Sequence, residues 1–146
     1  MKHYVKAGIA GIFSGIVLGA FLWASEEVTG RGVYTLLMNV DYFPVLKDME
    51  LNAAVEFFLH IAVSVTLAAI LFYLLHKKGM QYRVAPYLFI NLGIGGALYL
   101  TTNFSERTPA VTDGTAFLLW MAGHVVYGFS LWALVHIFIG KGKDSI

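Results

Sequence analysis

Glu56 and His60 stand four residues apart in one apolar stretch of this chain, and His124 stands at a matching place in another. Residues four apart share a face of a helix, so a carboxylate and an imidazole at this spacing can form a hydrogen-bonded pair. An ionisable group at membrane depth is costly and calls for a reason. Imidazole also changes charge near neutral pH, which makes such a pair a candidate proton carrier. Both histidines lie roughly nine residues in from the outer ends of their helices, or about 13 Å below the outer boundary at the helical rise. Asn91 on a third stretch and Tyr127, one turn past His124, reach the same depth. Glu56, His60, Asn91, His124 and Tyr127 are therefore expected to form one polar cluster in the outer half of a helical bundle, open to the external loops.

Three kinds of chemistry fit such a cluster. In the first, the side chains bond to one another across helices and fix the packing, each bond contributing roughly 0.6–2 kcal/mol. In the second, Glu56 and His60 take up and release a proton coupled to movement of an ion or small solute, with His124 beside them. In the third, His60 and His124 supply the two axial ligands of one haem. A second haem on His76 and His136 fails on angle. At about 100° per residue, neither the step from His60 to His76 nor that from His124 to His136 keeps both rings on one face. His76, beside Lys77, reads as an interfacial residue.

Other chemistry finds no support. No serine sits in a triad pattern and no H-E-x-x-H appears. Gly93-Ile94-Gly95-Gly96 lies inside an apolar helix, where a phosphate loop cannot operate. These glycines read as helix contacts, Gly93 and Gly96 in particular. Trp23, Tyr73, Trp120 and Trp132 read as lipid anchors and packing residues. Cysteine is absent, which removes disulfides and thiolate sites. The expectation is a protein without enzymatic activity, resident metal or cofactor, the haem alternative aside. A structural or accessory membrane bundle is the leading reading, with proton-coupled transport and a single-haem cytochrome as alternatives.

The elements that must carry the cluster are four apolar stretches, residues 5–25, 52–76, 84–104 and 115–140, each about the ~20 residues that cross a bilayer. Hydrophobic residues make up 58% of the 146 positions and charged residues 13%, with mean hydropathy +0.71. That composition leaves no mass for a soluble catalytic module, so one all-α domain is expected, a four-helix polytopic membrane bundle. The net charge of +1 carries no nucleic-acid signal, because the basic residues sit at helix ends.

Orientation follows from the short connections. Lys2, Lys6, Lys77, Lys78, Arg83, Lys141 and Lys143 fall on one side, and only Arg31, Lys47 and Arg107 on the other. Basic residues favour the cytoplasmic side, so both termini should face the cytoplasm. The acidic residues, Glu26, Glu27, Asp41, Asp48, Glu50, Glu106 and Asp113, all fall outside.

The first stretch is too long for a signal-peptide core and lacks an A-x-A site before Ser25. It carries Gly11, Gly15 and Gly19 at every fourth position, a line along which another helix backbone can approach closely. The external loop 26–51 holds an apolar segment, 33–43, too short to span. It should lie on the outer leaflet or cap the bundle, with any helix ended by Pro44. The second external connection has turn chemistry around Pro109 and Asp113-Gly114.

A faint internal repeat aligns His60, Leu67, Ala69 and Ile70 with His124, Leu131, Ala133 and Leu134. Lys77 and Lys141 close the two runs at the same offset. Such a repeat describes a duplicated helical hairpin in parallel orientation.

Ala10-Gly11, Trp23-Ala24-Ser25-Glu26, a histidine early in the second helix and Gly123-His124-Val125 together resemble the YagU-like inner-membrane proteins of bacteria. The resemblance touches three of the four helices, and this chain is shorter with a different outer loop. It implies a multi-pass protein of the inner membrane without an assigned reaction, and draws attention to Glu26, His60 and His124. The expected partners are the lipid bilayer and either a second copy or another membrane protein. The Gly11, Gly15 and Gly19 line is available for that contact if it is not used within the chain.

Overall fold

The computed structural model describes residues 2–41, 45, 46, 49 and 51–140. All regular structure among them is helical. The elements in chain order are α1 (Lys2–Thr29), α2 (Val33–Met38), α3 (Ala53–Lys77), α4 (Val84–Tyr99) and α5 (Gly114–Val135). A 3-10 turn, Leu100–Phe104, prolongs α4, and a π-helical turn, His136–Gly140, prolongs α5. Four of these units are long and apolar enough to cross a membrane. They match the four stretches read from the sequence to within a few residues. The largest difference is in α1, which starts at Lys2 and runs on to Thr29. A helix satisfies its own backbone in water as in lipid, so nothing ends α1 at the apolar boundary. Gly30 ends it instead, with φ +69° and its N–H on the Glu26 carbonyl.

Local chemistry sets the other ends. Asn52 caps α3 by accepting the Val55 N–H, and Asp113 caps α5 by accepting the Ala116 N–H. The Asp113-Gly114 turn is therefore a helix start. At the far end of α3, Gly79 adopts φ +65°, with Gly79 N–H on the His76 carbonyl and Met80 N–H on the Leu75 carbonyl. That is the glycine-terminated C-cap that allows an abrupt reversal into α4. Pro86 falls in the first turn of α4, where its missing N–H breaks no intrahelical bond.

The long helices alternate in direction and pack in the spatial order α3, α1, α5, α4. Glycines set the spacing of every packed seam. A Cβ on Gly11 would lie 3.0 Å from the Ser64 carbonyl oxygen and 3.0 Å from the Val65 Cα, so α1 and α3 are in backbone contact there. Gly15 packs on Ser64 and Ile61, and Gly19 on Phe57. Gly123 of α5 receives Leu18 and Leu22 of α1, and Gly128 of α5 lies against the Tyr87 carbonyl of α4. With Gly11, Gly15 and Gly19 all facing α3, that line is not free to form the oligomer contact considered above.

The expected role of Gly93 and Gly96 as helix contacts is also corrected. Nothing lies within 4 Å of a Cβ built on either one, and the contact belongs to Gly95 between them. At about 100° per helical position, Gly96 lies one step and Gly93 two steps round from Gly95, so neither shares its face. The remaining seam, α3 against α4, is unpacked. Each hairpin packs internally, α1 on α3 and α4 on α5. A twofold relation would also require α4–α3 to copy α1–α5, and it does not.

The described part of the 33–43 segment, α2 with residues 39–41, caps the bundle. Glu26 accepts the Tyr34 and Thr35 N–H groups at 2.7 and 2.8 Å, and the Thr35 hydroxyl at 2.8 Å, fixing the start of α2 on the end of α1. Val33, Leu36 and Met38 are thereby turned into the core. The helix ends at Met38; Tyr42, Phe43 and Pro44 lie outside the described residues, as do Lys47, Asp48, Glu50, Lys141 and Lys143. At the α2 end, Arg31 pairs with Asp113 at 2.8 Å, and Arg107 reaches Glu56 at 3.4 Å and Asp41 at 3.8 Å. At the opposite end Lys6 donates to the Phe138 carbonyl, so the first and last described turns lie together.

Candidate functional site

Where α3 and α4 fail to meet, a cavity of about 580 Å³ opens between them, capped by α2 and backed by α1 and α5. Its wall is mostly apolar, with Leu59, Leu67, Ile94 and Leu98 on the two flanking helices. Glu56, His60, Asn91, His124 and Tyr127 all line it, so the five residues singled out from the sequence are brought together around one space. Ser64, Thr66, Thr101, Trp120 and Asn39 add to its polar part.

Glu56 and His60 do not pair with each other. Arg107, carried in by the connection after α4, draws the Glu56 carboxylate toward the mouth beside α2. His60 turns the other way and donates Nε2–H to the Gly15 carbonyl of α1 at 3.0 Å. Gly15 has no side chain to cover that carbonyl, which is why the ring can reach it. A carbonyl only accepts, so the bond assigns the proton to Nε2 and leaves Nδ1 as an acceptor.

His124 is held in the complementary way. Its Nδ1–H donates to the Trp120 carbonyl at 2.9 Å, one turn back, leaving Nε2 as the acceptor. Trp120 in turn donates its indole N–H to the Gly95 carbonyl at 2.8 Å, tying α5 to α4 beside the ring. On the α3 side, Ser64 donates to the Gly11 carbonyl at 2.7 Å. The Tyr127 hydroxyl donates to the Ser64 carbonyl at 3.1 Å and bridges the space from α5 to α3.

Two amides complete the site without completing their bonds. Asn91 is fully buried; its amide N–H₂ donates to the Tyr87 carbonyl at 2.7 Å, and its Oδ1 has no partner. Asn39, 1% exposed, has an unpartnered Nδ2. A buried polar group left unpaired costs about 1–3 kcal/mol, so neither amide is satisfied by the protein alone.

Ser64, Trp120, Asn39 and Arg107 were not anticipated. Ser64 and Trp120 carried a signal, since each lies one turn from a cluster histidine on the same face. Trp120 read as packing or anchor; it is a buried hydrogen-bond donor, whereas Trp23 is exposed at the end of α1. Asn39 and Arg107 carried none, because a connection's path over the bundle leaves no periodic trace.

The arrangement does not suit a haem between the two histidines. His60 uses Nε2 on Gly15 and His124 uses Nδ1 on Trp120, so the rings do not present a matched pair of nitrogens to one iron. Among the described residues no group of three His, Asp or Glu side chains is placed to hold a metal ion. Comparison with protein-family models, with curated proteins and with solved structures finds no match to this chain.

Proposed function

We propose that this chain is a multi-pass protein of the inner membrane, with both ends on the cytoplasmic side. In that setting it binds a small hydrophobic solute that enters its cavity from the bilayer. The single observation that carries this reading is the unpacked α3–α4 seam, with a largely apolar space behind it. In lipid such an opening faces acyl chains, and an accessory scaffold whose polar groups only bonded to one another would leave no such space. The setting follows from four apolar helices and the basic residues collected at one end, and from the resemblance to the YagU-like proteins. No reaction is assigned to the site. Proton-coupled transport through a Glu56–His60 pair loses its basis once Arg107 holds Glu56.

Tryptophan fluorescence tests the reading. With Trp23→Phe and Trp132→Phe in place, Trp120 is the sole tryptophan, and it lines the cavity. In liposomes of dibrominated phosphatidylcholine its emission should be quenched, because bromine-bearing chains reach it through the seam. Filling the cavity with Leu67→Phe and Ile94→Phe should restore the emission. An unquenched Trp120 in the unfilled protein overturns the reading.

A further inference from the structure

We propose that the natural occupant of this cavity is a single-chain lipid with an uncharged hydroxyl head, lodged tail-outward between α3 and α4. This inference rests on the reading above and adds the chemistry of the ligand.

The hydrogen-bond inventory of the polar wall selects the head. Asn91 Oδ1 is a buried acceptor without a protein partner, and His124 Nε2 and His60 Nδ1 are left as acceptors by the bonds that their other ring nitrogens make. One atom is a donor in need of an acceptor, Asn39 Nδ2. A ligand carbonyl, as in an ester or a ketone, only accepts and leaves all three acceptors unpaired. A hydroxyl donates one bond and accepts up to two, so it satisfies both kinds of group.

Charge excludes the common membrane anions. None of the described lining residues is Lys or Arg, and the one charged lining residue is the Glu56 carboxylate. A fatty acid or a phosphate head would meet that carboxylate without a free cation among the described residues to offset it. Arg107 does not serve, because it is already engaged by Glu56 and Asp41. An ammonium head finds no free anion, since Glu56 is taken by the same arginine.

Size and access fix the rest. A space of about 580 Å³ falls in the range of small-molecule sites, about 300–1,000 Å³, and holds one chain and not a two-chain phospholipid. The apolar side chains Leu67, Ile94 and Leu98 line the seam, so the tail follows the opening while the hydroxyl stays against Asn91 and the histidines.

The test uses the same single-tryptophan protein, now in liposomes of unbrominated phosphatidylcholine, titrated with dibrominated octadecanol. Quenching of Trp120 should saturate at low mole fraction. Dibrominated stearate and dibrominated phosphatidylcholine at equal mole fraction should give only a shallow, unsaturable decrease. Asn91→Leu should raise the half-saturating mole fraction of the alcohol about tenfold, as loss of a buried hydrogen bond requires. Quenching by bulk brominated phosphatidylcholine should be unchanged in that variant, which confirms that it is folded. Equal responses to alcohol and acid, or an Asn91→Leu titration identical to the parent, overturn the hydroxyl head while the bilayer-open cavity stands. If no brominated species quenches Trp120, both proposals fall.

Discussion

Gly95 of α4 lies directly beneath the imidazole of His124 on α5: a Cβ built on Gly95 would stand 2.6 Å from the ring's Cγ and 3.0 Å from Nδ1. The ring cannot swing aside freely, because Nδ1–H is bonded to the Trp120 carbonyl and the Trp120 indole is bonded to Gly95 itself. Gly95→Ala should therefore lower stability by about 1–3 kcal/mol through overpacking, more than the ~1 kcal/mol by which alanine favours a helix. Gly93→Ala and Gly96→Ala, two residues and one residue away, meet open space and should not lower it. Thermal melts in detergent check the contrast; equal losses at all three positions would contradict the seam.

A gradient is expected along the α1–α3 contact. At Gly11 the opposing atoms are the Ala68 Cβ at 2.7 Å and backbone atoms of Ser64 and Val65, none of which can yield without moving the helix, while at Gly19 the nearest atom is the ring edge of Phe57 at 3.3 Å. Gly11→Ala should cost about 1–3 kcal/mol, and Gly19→Ala should fall within about 0.5 kcal/mol of the parent. Unfolding in mixed micelles with rising dodecyl sulfate measures both. Because this line faces inward, Gly11→Ala should leave any self-association of the folded protein unchanged.

Much of this was legible in the chain, for physical reasons. The spans follow from length and hydropathy, and the α1 packing face from glycines at every fourth position. The convergence of His60, Asn91 and His124 follows from equal depth on helices that alternate in direction. The open seam was not legible. Each long helix is apolar all round, so no stripe separates a packed side from a lipid-facing one. Spacing allowed Glu56 to pair with His60 but did not compel it, and the competing Arg107 sits in a connection whose path the sequence does not encode. The same limit placed Gly93 and Gly96 in a contact that belongs to Gly95.

Tyr127 and Ser64 form the one side-chain bridge described here from α5 to α3 behind the cavity. Tyr127→Phe keeps the ring and removes the hydroxyl, and Ser64 retains its bond to the Gly11 carbonyl. Within a membrane such bonds average about 0.6 kcal/mol, with a maximum near 1.7 kcal/mol. Tyr127→Phe should therefore cost an amount in that range, whereas Ser64→Ala keeps the accepting carbonyl and leaves the bridge in place. A Tyr127→Phe protein as stable as the parent would mean that the bridge does not form in the bilayer.

Asp113 gives the outer end an acid-sensitive fastening. Its carboxyl is held below the ordinary carboxylate value chiefly by the Ala116 N–H; partial desolvation opposes this, and Arg31 adds to it. A folded-state value depressed in this way stabilises the protein above the unfolded value, near 3.9, and the contribution fades as pH falls through the folded one. Asp113→Asn keeps a capping oxygen but cannot form the ion pair or titrate. The melting temperature of the parent should exceed that of the variant at about pH 7, and the gap should narrow as the pH falls below about 3.9. A gap that widens in acid would reverse the assigned sign.

The absence of cysteine makes the orientation directly measurable. The two arginines described at the α2 end, Arg31 and Arg107, are paired with Asp113, Asp41 and Glu56, whereas none of the described ion pairs involves Lys2, Lys6, Lys77, Lys78 or Arg83 at the other. The described Lys and Arg residues thus number five at that end against two at the α2 end, and the end richer in them is the one expected to stay in the cytoplasm. A single cysteine at Thr108 should react with a membrane-impermeant maleimide in intact spheroplasts. One at Lys78 should react only after the membrane is permeabilised. The reverse pattern would place the α2 cap and the cavity's outer mouth in the cytoplasm, and both cysteines reacting in intact cells would mean that α3 does not cross the membrane.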